Sequence, residues 1–267
     1  MSLKIVDLAL AEDIGSGDLT AALIPEQQLA KARIISQQVA VICGVDFVNE
    51  VYRCLDPAIT IKWQVKDGEA IFANQTLCQL SGKARSILTG ERTALNFLQT
   101  LSSTATLTRK FAEKIKETHT QLLDTRKTLP GLREAQKYAV VCGGGKNHRL
   151  GLYDAFLIKE NHISACGSVT NAILVARPAN KTIEIEVKNF VELEEAIAAK
   201  ADIVMLDNFS YENVRRAVAL NNGRVKLEVS GGVNLDNIRS FAATGVDYIS
   251  VGALTKTVIP IELSLLF

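Results

Sequence analysis

The stretch that decides the fold is TIEIEVKNFVELEEAIAAKADIVMLDN, residues 182–208. It opens with an apolar run, TIEIEV (182–187), that finishes in Glu186 and Lys188. It then passes Asn189 and Glu192 into a segment with Phe190, Leu193 and Ile197 at helical spacing, and closes on a second apolar run, DIVMLDN (202–208), ending in Asp207 and Asn208. Asn followed three residues later by Glu is a helix-start signal, because both side chains can satisfy backbone N–H groups that the first turn leaves without partners. Apolar strand, capped amphipathic helix and apolar strand form a β/α unit. Nearly continuous apolar strands in such units imply a parallel sheet covered by helices.

The same rhythm extends in both directions. Further strands are predicted at QLLDT (121–125), AFLIKEN (155–161), VKLEVSGG (225–232) and DYISVGAL (247–254). Ser210 opens a second helix with Val214 and Val218 on its apolar face; Asn234 opens a third with Leu235, Ile238 and Phe241, closed by Gly245. A repeat of roughly twenty-two residues per unit fits a barrel or partial barrel, with six strands legible after residue 120. Upstream the rhythm changes. ARIISQQVAVICG (32–44), ITIKWQV (59–65) and TLCQL (76–80), with Asp67-Gly68 as a hairpin signal, predict antiparallel strands. From Gly90 to about Ile115, Leu95, Leu98, Leu101, Phe111 and Ile115 predict a long helix leading out of this half.

Composition bounds the function. The chain has 267 residues, 48% hydrophobic and 22% charged, enough to bury a core and too sparsely charged for disorder. Thirty Lys and Arg against twenty-nine Asp and Glu leave a formal net charge of +1, without the basic excess that nucleic acid requires. Five cysteines with no C-x-x-C pair argue against a disulfide scaffold or a zinc site. The N-terminal MSLKIVDLALAED places Asp7, Glu12 and Asp13 where a signal peptide needs an unbroken apolar stretch, and the long uncharged run Thr93–Thr108 is rich in Thr, Ser, Asn and Gln. A cytoplasmic protein with no membrane segment is expected.

The chemistry lies at the strand ends. In order they carry Asp124, Thr125, Arg126 and Lys127; Lys159 and Glu160; Glu186 and Lys188; Asp207 and Asn208; Ser230, Gly231 and Gly232; and Gly252. In a parallel β/α fold these ends converge on one face, where loops build the active site. A single polar strand end is an ordinary turn. Six together, with charges in or beside apolar runs, point to a shared site of mixed charge. Ser230-Gly231-Gly232 and Gly252 match the phosphate site of many barrels, where backbone N–H groups approach an anion; two plain tight turns account for them equally well. The densest cationic stretch is DTRKTLPGLREAQKYAVVCGGGKNHRLGLYDAFLIKENH (124–162), with seven Lys or Arg and both His148 and His162. Its triple glycine, 143–145, followed by Lys146, His148 and Arg149, predicts a mobile anion-facing loop, whereas His162 is as readily a capping residue as a catalytic one. Glu186 and Asp207 could hold a divalent cation such as Mg2+, or each could neutralise a lysine. Glu12-Asp13 with Gly15, Ser16 and Gly17 is read as a loop or helix terminus.

These runs, together with ALAEDIGSGDLT (9–20), GERTALNFLQTLS (90–102), EVSGGV (228–233) and ISVGALTK (249–256), resemble the quinolinate phosphoribosyltransferase family over nearly the whole chain. The resemblance implies an α/β fold made of an N-terminal α/β sandwich domain (1–105, completed by 257–267) and an open, seven-stranded parallel α/β barrel (106–256). It implies transfer of phosphoribose from phosphoribosyl pyrophosphate to quinolinate with loss of CO2, assisted by Mg2+. A cationic pocket for the quinolinate dianion would fall on Arg126, His148, Arg149 and Lys159, joined by Arg92 from the neighbouring subunit of a homodimer or higher oligomer. Lys127 and Lys159 would also serve the pyrophosphate, and Thr125 would bind substrate. Lys159, Glu186 and Asp207 would be catalytic, the two carboxylates also beside ribose and metal, and Ser230, Gly231, Gly232, Gly252 and Lys256 would hold the 5-phosphate. Three other readings remain open: the related protein of molybdate-transport operons, a Schiff-base aldolase using Lys159, and a non-enzymatic phosphosugar sensor.

Overall fold

The computed structural model describes residues 3–267. The chain forms two compact units: one takes the chain up to Arg109 with Thr128–Gly144 and Thr255–Phe267, the other Lys110–Lys127 and Gly145–Leu254.

In the first unit, strands β1 (Leu29–Ser36), β2 (Ala40–Val41), β3 (Thr60–Trp63), β4 (Ala70–Ile71) and β5 (Thr76–Lys83) form two antiparallel sheets. The larger runs in the order strand Leu263–Leu266, β1, β5, β3, so the last strand of the chain pairs with the first, Leu263 opposite Ser36. Helices α1 (Ile5–Ile14), α2 (Val45–Leu55), α3 (Ala84–Ile115) and α4 (Arg133–Gly143) accompany them. Phe47, Val51, Tyr52, Leu77, Leu80, Ile87, Leu95 and Leu98 are buried in one apolar cluster. Each such side chain is worth about 1.5–3 kcal/mol over its exposed state. Glu12 and Asp13 lie near the end of α1, which Gly15 terminates at φ +52.

Two expectations for this unit change. The long helix begins at Ala84, and Gly90 sits inside it: a Cβ there would meet Tyr52 at 2.7 Å, so this glycine marks close packing where the pattern had read a helix start. Asp67-Gly68 is not a tight hairpin between β3 and β5. Those strands pair, but β4 lies in their connection. The Asp67 carboxylate instead accepts from the Gly44 and Val45 N–H groups at the start of α2, and Gly68 takes the left-handed turn at φ +90.

The second unit is a parallel sheet of six strands, β6 (Gln121–Leu123), β7 (Phe156–Ile158), β8 (Ile183–Val187), β9 (Ile203–Asp207), β10 (Lys226–Ser230) and β11 (Tyr248–Ser250), in the order β6-β11-β10-β9-β8-β7. Lys146 adds a seventh position through a parallel bridge to Leu123. Between the strands run α5 (Glu160–Cys166), α6 (Val169–Ala176), α7 (Phe190–Ala198), α8 (Tyr211–Asn221) and α9 (Ile238–Ala242). Asn189 and Ser210 cap α7 and α8 as predicted, accepting from Glu192 and Asn213 N–H groups. Asn234 does not cap α9 directly. Its side chain accepts from the Asp236 and Asn237 N–H groups in a preceding turn, and the helix begins at Ile238.

Strand alternation sorts the two faces of this sheet. Ile183, Ile185 and Val187 in β8, Val204 and Leu206 in β9, and Leu227 and Val229 in β10 are fully or almost fully buried, as are Leu193, Val214 and Ile238 of the helices. The intervening residues form the other face: Glu184 and Glu186, Met205 and Asp207, Glu228 and Ser230. Register places Glu228 beside Met205, and Ser230 beside Asp207.

Candidate active site

A cavity of about 380 Å3 opens at the carboxyl ends of these strands, lined by Thr125, Arg126, Lys127, His148, Arg149, Lys159, Glu186, Asp207, Ser230 and Gly231. All ten were singled out from sequence. Asn208, Met205, Leu157 and Ser250 complete the wall. Arg92 lies outside this lining, exposed on α3, and Lys256 is exposed in the turn of helix Ala253–Lys256.

The polar side chains are fixed by local hydrogen bonds. Lys159 Nζ meets Glu186 Oε2 at 2.5 Å, which joins the ends of β7 and β8. Lys159 is half-exposed and paired, unlike the desolvated amine that Schiff-base chemistry requires. Thr125 Oγ1 accepts from the Lys127 N–H at 3.0 Å. Asp124, completely buried, accepts from the His148 N–H at 2.9 Å and so fixes the loop that carries His148 and Arg149. Arg149 donates to the Ala155 carbonyl, but its buried Nε has no hydrogen-bond partner. Burial and the nearby Arg126 charge pull the Arg149 guanidinium below its ordinary pKa, with Glu184 and Asp154 opposing. Two guanidiniums that repel each other while lining one cavity form a site shaped for an anion.

The glycines divide into two kinds. Gly231 has φ +95, and a Cβ on it would come within 2.1 Å of Asn208 Oδ1, so the backbone runs against a neighbouring side chain at the cavity wall. Gly252 lies against Lys127 and Thr125, where a Cβ would sit 3.1 Å from the lysine stem, and Gly232 has open space around it at φ +64. The triple glycine has a different origin from the one its sequence indicated. Gly143 ends α4, where a Cβ would lie 2.5 Å from the Ala105 carbonyl, Gly144 is the left-handed cap, and Lys146 enters the sheet. It is a close-packed helix end, and none of the three glycines lines the cavity. His162 is a capping histidine, its Nδ1 accepting from the Lys159 N–H at the start of α5.

Sequence reasoning passed over Ser250, Glu184 and Glu228, and placed Asn208 at a strand end without a role. Asn208 has a detectable signal, an asparagine directly after a strand, and here it adopts φ +55. Glu184 and Glu228 were visible as charges inside apolar strands. Both are buried, at 3% and 0% exposure, on the cavity-facing side of their strands.

A strand-end cavity that pairs anion-binding guanidiniums and lysines with carboxylates and a glycine turn defines an α/β-barrel enzyme acting on phosphorylated, multiply anionic substrates. Residues 104–266 match the model of the quinolinate phosphoribosyl transferase C-terminal domain, and residues 18–102 that of its N-terminal domain. A probable nicotinate-nucleotide pyrophosphorylase (carboxylating) of Bacillus subtilis is 40% identical over 98% of this chain and 92% of its own length; one from Methanocaldococcus jannaschii is 42% identical, over 99% and 96%. The solved structure of nicotinate-nucleotide pyrophosphorylase from Francisella tularensis superposes with a TM-score of 0.97 at 52% identity, covering 99% of this chain and 95% of that one. The chain belongs to the quinolinate phosphoribosyltransferase family. No helix among the described residues is long and apolar enough to cross a membrane.

Proposed function

We propose that the chain transfers the phosphoribosyl group of phosphoribosyl pyrophosphate to quinolinate and releases pyrophosphate and CO2, forming nicotinate mononucleotide. The observation that carries this reading is the Arg126–Arg149 pair, with its buried, unpartnered Arg149 Nε, beside the Lys159–Glu186 pair in one cavity. Quinolinate is a planar dianion, and two guanidiniums with Lys159 match its carboxylates. Lys127 and Thr125 serve the pyrophosphate, and Ser230, Gly231, Gly232 and Gly252, with Lys256, the 5-phosphate. The pyridine nitrogen displaces pyrophosphate from the ribose anomeric carbon, where positive charge develops under Glu186 and Asp207. Ring nitrogen that has gained the ribose is cationic, and that charge stabilises the electron pair left on the adjacent ring carbon when its carboxylate departs as CO2, until that carbon takes up a proton from solvent.

Two clusters among the described residues bring three metal-competent side chains together, and neither contains Glu186 or Asp207. Glu186 and Asp207 both line the cavity, and Mg2+ would be held beside them together with substrate oxygens and water. Bound there, it would supply charge neutralisation for the departing pyrophosphate. Incubation of the chain with both substrates and Mg2+ should release pyrophosphate and CO2 in equal amounts, and Arg149→Ala should cut kcat/KM at least about a hundredfold, some 2.7 kcal/mol. Absence of product from the unsubstituted chain overturns the proposal.

The working enzyme is proposed to be a cytoplasmic homodimer in which Arg92 reaches the neighbouring subunit's cavity. Mixed Arg92→Ala and Lys159→Ala subunits would then regain activity, because one hybrid site is intact. Mixtures as inactive as either parent would exclude the cross-subunit role.

A further inference from the structure

Beneath the cavity, His148 meets two buried acids. Its Nε2 lies 2.7 Å from Glu184 Oε2 and 3.6 Å from Glu228 Oε2, and its Nδ1 accepts the backbone N–H of Arg149 at 2.8 Å. An imidazolium has a proton on each nitrogen. A proton on Nδ1 would collide with the Arg149 N–H, so the geometry leaves that nitrogen a lone pair and puts the single ring proton on Nε2, aimed at Glu184.

We propose that His148 is an uncharged strut: the buried Glu184–Glu228 pair and the Arg149 amide hold it as the neutral, Nε2-protonated tautomer, and Arg126, Arg149 and the lysines alone supply the cavity's positive charge. Glu184 and Glu228 are then positioning residues, acting on substrate only through the histidine and Arg149. The inference rests on the quinolinate reading of the cavity and revises the cationic role expected for His148.

The surroundings of the ring pull both ways. Glu184, Glu228 and Asp124 favour a cation, and Arg126 and Arg149 oppose it; the amide on Nδ1 decides. Burial and the adjoining Glu184 charge push the Glu228 carboxyl up to about 8, so near neutral pH the cluster carries less negative charge than its composition indicates. The chemistry benefits as well. A ring whose only N–H faces Glu184 presents no acidic proton to the pyridine nitrogen, whose lone pair is the nucleophile.

The test combines a spectrum with a set of substitutions. Nitrogen-15 resonances of His148 in the free protein, assigned by their loss in His148→Gln, should be those of a neutral Nε2–H imidazole and stay unchanged from about pH 6 to 8, across the range where an ordinary histidine titrates. His148→Ala should raise KM for quinolinate about tenfold or more; His148→Gln, which keeps a neutral donor near Nε2, should recover most of that loss, and His148→Lys, which supplies only charge, should not. Imidazolium or Nδ1–H resonances at pH 7, or rescue by lysine and not by glutamine, overturn the proposal. The spectrum needs no substrate. A chain that makes no nicotinate mononucleotide would refute the quinolinate reading while the tautomer assignment is still decided by its own resonances.

Discussion

A single buried residue illustrates how far physical chemistry separates from residue type. Glu228 sits in the middle of β10, fully buried beside Glu184, and its carboxyl is pushed up to about 8, first by burial. For an acid whose folded pKa exceeds its unfolded value, the folded chain binds the proton more tightly. Its contribution to stability is therefore fully present below about pH 4.5 and declines as pH rises toward 8. Glu228→Gln keeps the shape of the protonated acid without that proton. The variant should gain stability relative to the unsubstituted chain by a few kcal/mol, about 2–4, on going from pH 5.5 to 8.5, as read by urea denaturation at both values. A gain that does not depend on pH would show that Glu228 is ionised throughout. Sequence displayed this glutamate inside an apolar run. Its proton was invisible there, because the shift comes first from burial and then from Glu184, a neighbour 44 positions away in the chain whose strand is separated from β10 by β9.

Among the elements, α4 departs most from local expectation. Read from sequence, 133–143 is only part of a cationic run ahead of a glycine loop, and nothing in it indicates which partners it packs against. In the first unit, Ala135 and Ala139 enter the apolar core and Gln136 donates to the Thr255 carbonyl. Arg109 ties the Cys142 and Gly143 carbonyls at its end to the Gly68 carbonyl. Gly143 lets that end approach α3, and a methyl group there would press on the Ala105 carbonyl and Thr108 at 2.5 Å. Gly143→Ala should therefore destabilise by about 1–3 kcal/mol, seen as a lower thermal midpoint. An unchanged midpoint would mean that α3 and α4 can separate without loss. The glycine run is conspicuous in sequence, yet its two explanations, anion cradle and helix contact, differ only in what lies opposite, which a linear reading cannot supply.

At the scale of the whole molecule, the chain's last strand closes the sheet that its first strand began. Leu263–Leu266 covers the edge of β1, and Ile261 and Leu263 are buried in the same core as Val6. Deleting residues 263–267 would expose an antiparallel edge and strip that apolar cover, so the shortened chain should unfold at lower temperature and aggregate, measured by scanning calorimetry and light scattering. Retention of the full melting temperature would show the strand to be dispensable. The sequence by itself determined the β/α rhythm, the capped helices α7 and α8, and most of the residues that meet in one cavity, because strand alternation and the common direction of parallel strands are local rules with a global consequence. The tertiary structure alone decided which glycines face the cavity, where α4 packs, and that His148 sits over two buried acids. Those outcomes depend on pairs of residues brought together by folding, and burial and charge at such meetings change what each side chain can do.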